Sequence, residues 1–322
     1  MLKPVYEMKI GTQSFDSANN AEALSINVDS DLAIPLDAFK VVLKPGDKTA
    51  VGSGDAVSIK LGYDDAPVQV FTGTVDAVEP GISSVTVSGF SLAAPLTRMR
   101  IHQVYEQQTA GNIVKDLASR LSLSIKTVDD GISFPMYVVD ESRTVYSHMR
   151  ELAVLCGFDL FLTPDGEVMF KNYQAKKPVT FTYGEDIIEA QVKVLTPQAT
   201  SVKVFEESPS STKGSDTAPW LSKKVMGGVA GSGDEVFIVA NPAIRDKDTA
   251  DSVAAAVLDA LMVTLVGTVK TIGEPEVLLS DTIEIKGMPD ARMNDKFEVT
   301  RVSHAFNMDE GFTTTFGWIK RP

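Results

Sequence analysis

Short runs of alternating apolar and polar residues dominate the first hundred positions. Alternation is the period of a strand with one buried face. It predicts strands at residues 6–10, 23–28, 39–43, 56–61, 68–75 and 84–90. Pro, Gly and Asp punctuate them, as in an antiparallel barrel or sandwich. From about residue 100 the period lengthens. Ile113, Val114, Leu117, Ala118 and Leu121 share one face of a helix that begins near Thr109. Ser142 is the candidate N-cap of a second helix, with Val145, Met149, Leu152, Ala153 and Cys156 in one stripe and Gly157 as its stop. A hairpin follows at 158–162 and 168–170, around the turn Pro164-Asp165-Gly166.

Alternation resumes near Val179, with strands predicted at 187–194 and 199–206. The polar stretch 208–215 predicts a loop, and a glycine-rich loop at 227–233 precedes a strand at 236–239. Asp246 or Asp248 is expected to cap a helix whose face is Val253, Val257, Leu258, Leu261 and Leu265, closed by Gly267.

One pattern then occurs twice. Gly54-Asp55-Ala56-Val57-Ser58-Ile59-Lys60 is followed by Phe71-Thr72-Gly73-Thr74-Val75 and by Val85-Thr86-Val87-Ser88-Gly89-Phe90. Ser280-Asp281-Thr282-Ile283-Glu284-Ile285-Lys286 is followed by Phe297-Glu298-Val299-Thr300-Arg301-Val302 and by Thr313-Thr314-Thr315-Phe316-Gly317-Trp318. Asp55 to Phe71 and Asp281 to Phe297 are both 16 residues, while Asp55 to Gly89 is 34 and Asp281 to Gly317 is 36. Asp64-Asp65-Ala66-Pro67 and Gly287-Met288-Pro289-Asp290 supply the turns. A fold used twice in one chain implies a ring or tube built from similar walls.

The expected architecture is mainly β (α+β): two similar antiparallel β-barrel domains flanking a small α/β insert. The first barrel covers 1–99, the insert 100–175 and the second barrel 176–322, which carries a loop and helix insertion at about 207–268.

With 322 residues, 43% of them apolar, the chain can fill two or three cores. A net charge of −13 argues against a nucleic-acid-binding surface. The single cysteine, Cys156, excludes an intramolecular disulfide, and its place beside Leu155 on an apolar helix face fits a buried thiol. The first residues lack an apolar run of signal-peptide length, and the most apolar stretch, 253–266, contains Asp259 and is too short for a bilayer. Folding in a reducing cytoplasm is expected, with release by lysis or within a particle.

Motifs for chemistry are thin. A phosphate loop needs a preceding strand, a following helix and a closing Lys-Ser or Lys-Thr. Residues 227–233 are instead followed by Asp234-Glu235 and a strand, and Gly267-Thr268-Val269-Lys270-Thr271 fails the spacing. Asp246-Lys247-Asp248-Thr249-Ala250-Asp251 begins like a calcium loop but has Asp251 where glycine belongs, so helix capping is expected. His102, His148 and His304 lie far apart without metal-ligand spacing, and His304 is expected at a strand edge. No Gly-x-Ser-x-Gly nucleophile motif occurs. No catalytic, cofactor-binding or metal-binding residue is assigned, and no enzyme activity is expected.

The order of β module, helical insert and β module resembles the phage late control gene D protein family, the baseplate hubs of contractile tails, related to the N-terminal part of type VI secretion spike proteins. The likeness is carried by Gly54 to Ile59 with Phe71-Thr72-Gly73-Thr74-Val75, by Thr109 to Ala118, and by Glu141 to Tyr146 with Met149 to Ala153 and Gly157 to Leu160. Gly273-Glu274-Pro275-Glu276-Val277, Phe297 to Val302, His304 and Gly311-Phe312-Thr313-Thr314 resemble the closing barrel. Two departures stand out: Ser280 replaces the glycine usual before the second Asp-x-Ile strand, and the 207–235 loop has no evident counterpart.

The resemblance implies a homotrimer whose six similar barrels form a pseudo-sixfold ring. That ring would adapt a hexameric tail tube to a trimeric spike among other baseplate proteins. DNA or cargo would pass through its lumen without specific nucleic-acid binding, and part of the acidic surplus would line that passage. No membrane insertion is implied. The chain ends at Pro322 without a segment resembling a fused spike, so a separate spike chain is expected. The place of work is a virion tail baseplate or an extracellular contractile particle, assembled in the host cytoplasm. The alternatives are a two-domain β-sandwich binding module and a tail-tip cell-wall hydrolase. The first sits poorly with the missing export signal and only 7% aromatic residues, the second with the missing catalytic site.

Overall fold

The computed structural model describes residues 3–18, 22–45, 51–64, 66–206 and 227–321. The loop expected at 208–215, Asp65 of the first turn, and Met1, Leu2 and Pro322 lie outside the described residues.

Seven strands make the first module: β1 (Pro4–Ile10), β2 (Gln13–Asp16), β3 (Ala23–Asp31), β4 (Ala38–Leu43), β5 (Ala56–Tyr63), β6 (Val68–Pro80) and β7 (Val85–Ser91). All six strands expected from alternation are present. The four-residue β2 was too short to show a period. The insert contains β8 (Gln103–Thr109), α1 (Ala110–Ser119), β9 (Ile125–Val128), β10 (Ser133–Val139), α2 (Val145–Cys156), β11 (Phe158–Leu162) and β12 (Val168–Asn172). The remainder comprises β13 (Val179–Thr182), β14 (Ile187–Val194), β15 (Ser201–Phe205), β16 (Gly227–Gly231), β17 (Val236–Ala240), α3 (Lys247–Leu261), β18 (Leu265–Ile272), β19 (Thr282–Lys286), β20 (Lys296–Asn307) and β21 (Gly311–Ile319).

The helix ends follow cap chemistry. Thr109 accepts from Asn112 N–H (3.2 Å) and starts α1. Thr144, not Ser142, caps α2 by accepting from Ser147 N–H (3.2 Å); Ser142 instead donates its N–H to Asp140 Oδ1 in the preceding turn. Gly157 ends α2 at φ 67°. Asp246 caps α3, its Oδ1 accepting from Thr249 N–H at 2.7 Å. This helix stops at Leu261; Leu265 and Gly267, expected on its face and at its end, belong to β18. The glycine-rich segment expected as a loop forms β16 over 227–231. A Cβ at Gly228 would lie 2.1 Å from the Ala250 carbonyl carbon, so glycine lets this strand press against α3.

One 13-stranded sheet runs β14-β18-β21-β20-β3-β4-β7-β6-β5-β1-β2, with β19 on β20 and β13 on β19. Within it the order β1-β5-β6-β7-β4-β3 is repeated as β13-β19-β20-β21-β18-β14. Matched strand by strand, the two modules have the same spatial order and the same chain order. The main change is that β13 pairs parallel to β19 where β1 pairs antiparallel to β5.

The registers superimpose in detail. Thr74 faces Ala56 as Glu298 faces Thr282, and bulges follow Val75 and Val299 at the same place. A second matched pair of bulges interrupts β3 after Ala23 and β14 after Ile187. Gly54 N–H donates to Val75 O and Ser280 N–H to Val299 O, both at 2.8 Å. Asp55 Oδ2 accepts from Gly52 N–H at 2.8 Å, and Asp281 Oδ2 from Leu278 N–H at 3.0 Å. The common Asp-to-Phe spacing does not mark equivalent residues: Phe297 takes the place of Gly73, two residues beyond Phe71. A two-residue offset preserves the face, so alternation conceals it.

Among the described residues neither module closes into a barrel. In the second, β13 and β14 meet at a single bridge, Tyr183 to Ile187. In the first, the outer edge of β3 is taken by β20, whose 12 residues pair with β19 at their start and with β3 at their end. The β3 edge thus fuses the two open modules instead of closing the first.

Three cores result. Tyr6, Ile26, Val41, Ile59 and Phe71 fill the first module together with Phe306 and Phe312 from the second. Phe181, Val269, Ile283, Phe297, Phe316 and Trp318 fill the second. Val202, Val204, Ala250, Val253 and Val257 share a third core with α1 and α2 of the insert. The described part of the excursion between β14 and β18 therefore packs on the insert, and Asn241 Nδ2 donates to Glu151 Oε1 at 2.9 Å across that contact.

Candidate assembly interface

The joint between modules defines what an association surface of this fold looks like. Antiparallel pairing sets Asp31 opposite Arg301, Ser30 opposite Val302, Asp29 opposite Ser303, Val28 opposite His304 and Ile26 opposite Phe306. Arg301 pairs with Asp29 at 3.3 Å, and Ser303 Oγ donates to the same carboxylate. Phe306 stands edge-on to Tyr6, ring centroids 5.1 Å apart, while Tyr63 Oη donates to Phe312 O at 3.2 Å. The tip of the β20–β21 hairpin is thus planted in the neighbouring module.

His304, expected at a strand edge, is instead buried inside β20 with Nδ1 3.0 Å from Thr314 Oγ1. Burial lowers its pKa to about 4. Continuous pairing with β3 explains the difference, since it turns the edge of β20 into the middle of a sheet.

Other edges have no such cover among the described residues. Beyond the bridge at Ile187, β14 pairs only with β18, and Ile188 and Val194 are more than half exposed. Beyond its bulge, β6 pairs only with β7, and Ile82 at the hairpin tip is fully exposed. The sheet β16-β15-β17 shows Val229, Val236 and Ile238 around Lys203. Unpaired strand edges and grouped apolar side chains are the features that assembly covers.

Across the continuous sheet the ladder aligns Glu189, Lys270, Thr315, Ser303, Asp29 and Ala38 in one row. An opposed Glu189–Lys270 pair is followed by two hydroxyls and then by Asp29, so the acidic surplus is not gathered on this row.

Polar groups inside the molecule serve packing. Arg321 pairs with Glu298 and lies 3.5 Å from Asp159, joining the insert to the second module. Burial is the main cause that pushes the Glu298 carboxyl up to about 7. The buried His148 ring holds the Asp140 backbone through Nε2. Burial raises the Cys156 thiol to about 11, and its Sγ accepts from Ile132 N–H, the setting of an unreactive thiol. Asp246 is occupied as a helix cap and Asp251 pairs with Lys247 at 2.7 Å. Among the described residues no cluster of three or more His, Cys, Asp or Glu side chains is placed to hold a metal, and no helix is long and apolar enough to cross a membrane.

No curated protein matches the sequence. Among solved structures, the 43 kDa tail protein of prophage MuSo2 from Shewanella oneidensis is similar at TM-score 0.75 and 15% identity, over 99% of each chain. A tail protein from Neisseria meningitidis MC58 gives TM-score 0.74 at 14% identity, over 99% of this chain and 96% of that one. An Escherichia coli component of the type VI secretion system gives 0.63 at 11% identity, over 98% and 79%. These are likenesses of fold. The Alg8 N-terminal domain family matches residues 39–308, most of the sequence, and the chain belongs to that family.

Proposed function

We propose that the protein is the structural baseplate hub of a contractile tail or contractile injection particle. Three copies form a ring of pseudo-sixfold symmetry that adapts a hexameric tail tube to a trimeric central spike, with other baseplate proteins around it. The observation that carries this reading is the repetition of one six-strand order within a single continuous sheet. A chain with two equivalent modules lets a threefold object offer six near-equivalent surfaces. The similarity in fold to tail proteins and to a type VI secretion component supports the same role.

The chain divides functionally into a first hub module over 1–99, an insert over 100–175 and a second hub module over 176–322. Its work is mechanical and not catalytic, in a particle assembled in the cytoplasm, with a central passage for DNA or protein cargo. Electron microscopy of the purified protein, classified without imposed symmetry, tests it. Rings of three subunits and six similar lobes are expected; particles of another symmetry in the presence of a tail tube and spike would overturn it.

A further inference from the structure

The joint inside the chain has an unused twin. β3 and β20 are paired; their equivalents in the other module are β14 and β6. Both equivalents are free at the matching edge among the described residues. We propose that the β6 edge of one copy pairs antiparallel with the β14 edge of the next, extending one continuous sheet around the ring. This rests on the ring proposed above and names the contact that closes it.

The register follows from the superimposed ladders. Residue 28 of β3 corresponds to 192 of β14, and residue 302 of β20 to 78 of β6. Transferring the β3–β20 pairs sets Val78 opposite Val194, Glu79 opposite Lys193 and Pro80 opposite Val192. Asp29 and Ser303 hold this place inside the chain. Between copies the two positions carry opposite charges, and neither Glu79 nor Lys193 has an ion-pair partner among the described residues.

Backbone geometry agrees independently. Gly81 N–H donates to Ser84 O at 2.8 Å, closing the β6–β7 hairpin. In an antiparallel ladder the hydrogen-bonded pairs alternate, so Glu79 bonds toward β7 while Val78 and Pro80 turn their polar groups outward. Leu195 N–H donates to Thr264 O at 2.7 Å, which by the same alternation turns Val194 and Val192 outward. The outward residues of the two edges coincide in the transferred register. Pro80 lacks an N–H, so its pair forms one bond in place of two.

Ile82 explains itself in the same frame. It lies two residues past Pro80, as Phe306 lies two past His304. Phe306 is buried against Ile26 and Tyr6; Ile82 is bare and falls opposite Ala190, whose small side chain leaves room for it. Each chain has one free edge of each kind, so the contact is head-to-tail and closes a ring when the rotation per copy divides a full turn.

Glu79 and Lys193 occupy a narrow pair of the new ladder, a separation that a disulfide spans. The test uses the full chain with Cys156→Ser, Glu79→Cys and Lys193→Cys, oxidised and run without reductant. Disulfide-linked oligomers that end at the trimer are expected, with none from either single-cysteine chain. A complementary set carries Glu79→Lys, Lys193→Glu and both together. Each reversal alone is expected to weaken self-association about tenfold, and the double reversal to restore it. Intact rings without the cross-link, and indifferent to both reversals, would overturn this pairing and leave the hub reading standing. A wild-type chain that stays monomeric even with tube and spike would overturn both.

Discussion

Ser280 holds in the second module the left-handed backbone that Gly54 holds in the first, at φ 61° against 90°. Both residues precede the aspartate that closes the corner, and both donate N–H to the equivalent valine carbonyl. Glycine adopts this conformation freely, whereas a Cβ is crowded there. Ser280 is also fully buried, and its Oγ has no hydrogen-bond partner. Ser280→Gly removes both penalties, offset in part by the greater freedom of glycine in the unfolded chain. The expected gain is about 1 kcal/mol, seen as a rise of about 2 °C in Tm by calorimetry. A fall in Tm would mean that the serine hydroxyl is bonded after all.

Aromatic rings and glycines trade places between the modules. Phe39 of β4 faces Gly89 of β7; the equivalent pair is Gly267 of β18 and Trp318 of β21. A Cβ at Gly89 would lie 2.0 Å from Thr74 O and 2.7 Å from the Phe39 ring, and one at Gly267 would lie 2.2 Å from the Trp318 ring. Each glycine makes space for a ring to lie flat on the ladder. Gly89→Ala and Gly267→Ala are each expected to cost about 3 kcal/mol in urea titration. Gly227→Ala, whose Cβ meets nothing nearer than 3.6 Å among the described residues, serves as the control and should stay within about 0.5 kcal/mol of the parent.

Most strands and all three helices were legible in the sequence, because burial of one face imposes the period that alternation records. Ends were less so. Leu265 keeps helical spacing from Leu261, yet pairing with β14 takes it into β18. Ser142 and Thr144 are both good caps, and only the backbone distinguishes them. The repeat was visible, but its true register was not, since a shift of two residues leaves each face unchanged. The fusion through β3 and β20 was invisible, because alternation says which face is buried and nothing of which edge is paired. Glu79, Lys193 and Ile82 carry no motif of any kind. They gain meaning only when the two ladders are superimposed.

One cation serves two buried carboxylates at the end of the chain. Arg321 Nη2 lies 3.1 Å from Glu298 Oε1 and 3.5 Å from Asp159 Oδ1, and Asp159 Oδ2 has no partner. Removing the cation leaves both acids buried and opposed. Arg321→Met is expected to lose about 2 kcal/mol at pH 8, less than a fully enclosed pair because the guanidinium is partly exposed. The Glu298 carboxyl sits at about 7 in the fold against an ordinary 4.5, so the folded state binds the proton more tightly. Stability from this group is therefore greatest below about 4.5 and falls as pH rises through 7. The Arg321→Met deficit should shrink at pH 5.5, where Glu298 is protonated, and Glu298→Gln in the same chain should recover much of it. A deficit equal at both pH values would assign the loss to packing on the Tyr173 ring, 5.4 Å from the guanidinium carbon.

His304 works in the opposite direction. Its pKa falls from 6.5 to about 4 because burial disfavours the imidazolium, against a smaller opposing pull from Asp29. The unfolded chain therefore takes up a proton that the folded chain refuses between those values. Stability from this group is complete above about 6.5 and is lost as pH falls toward 4, by up to about 3 kcal/mol. Because His304 lies on the strand that fuses the modules, acid strains the joint with β3 before the outer strands. His304→Gln keeps a polar group beside Thr314 Oγ1 but cannot be protonated. It should stay within about 1 kcal/mol of the parent at pH 7.5 and be the more stable of the two at pH 4.5. Urea titrations at the two pH values decide it; parallel losses on acidification would move the acid sensitivity away from His304.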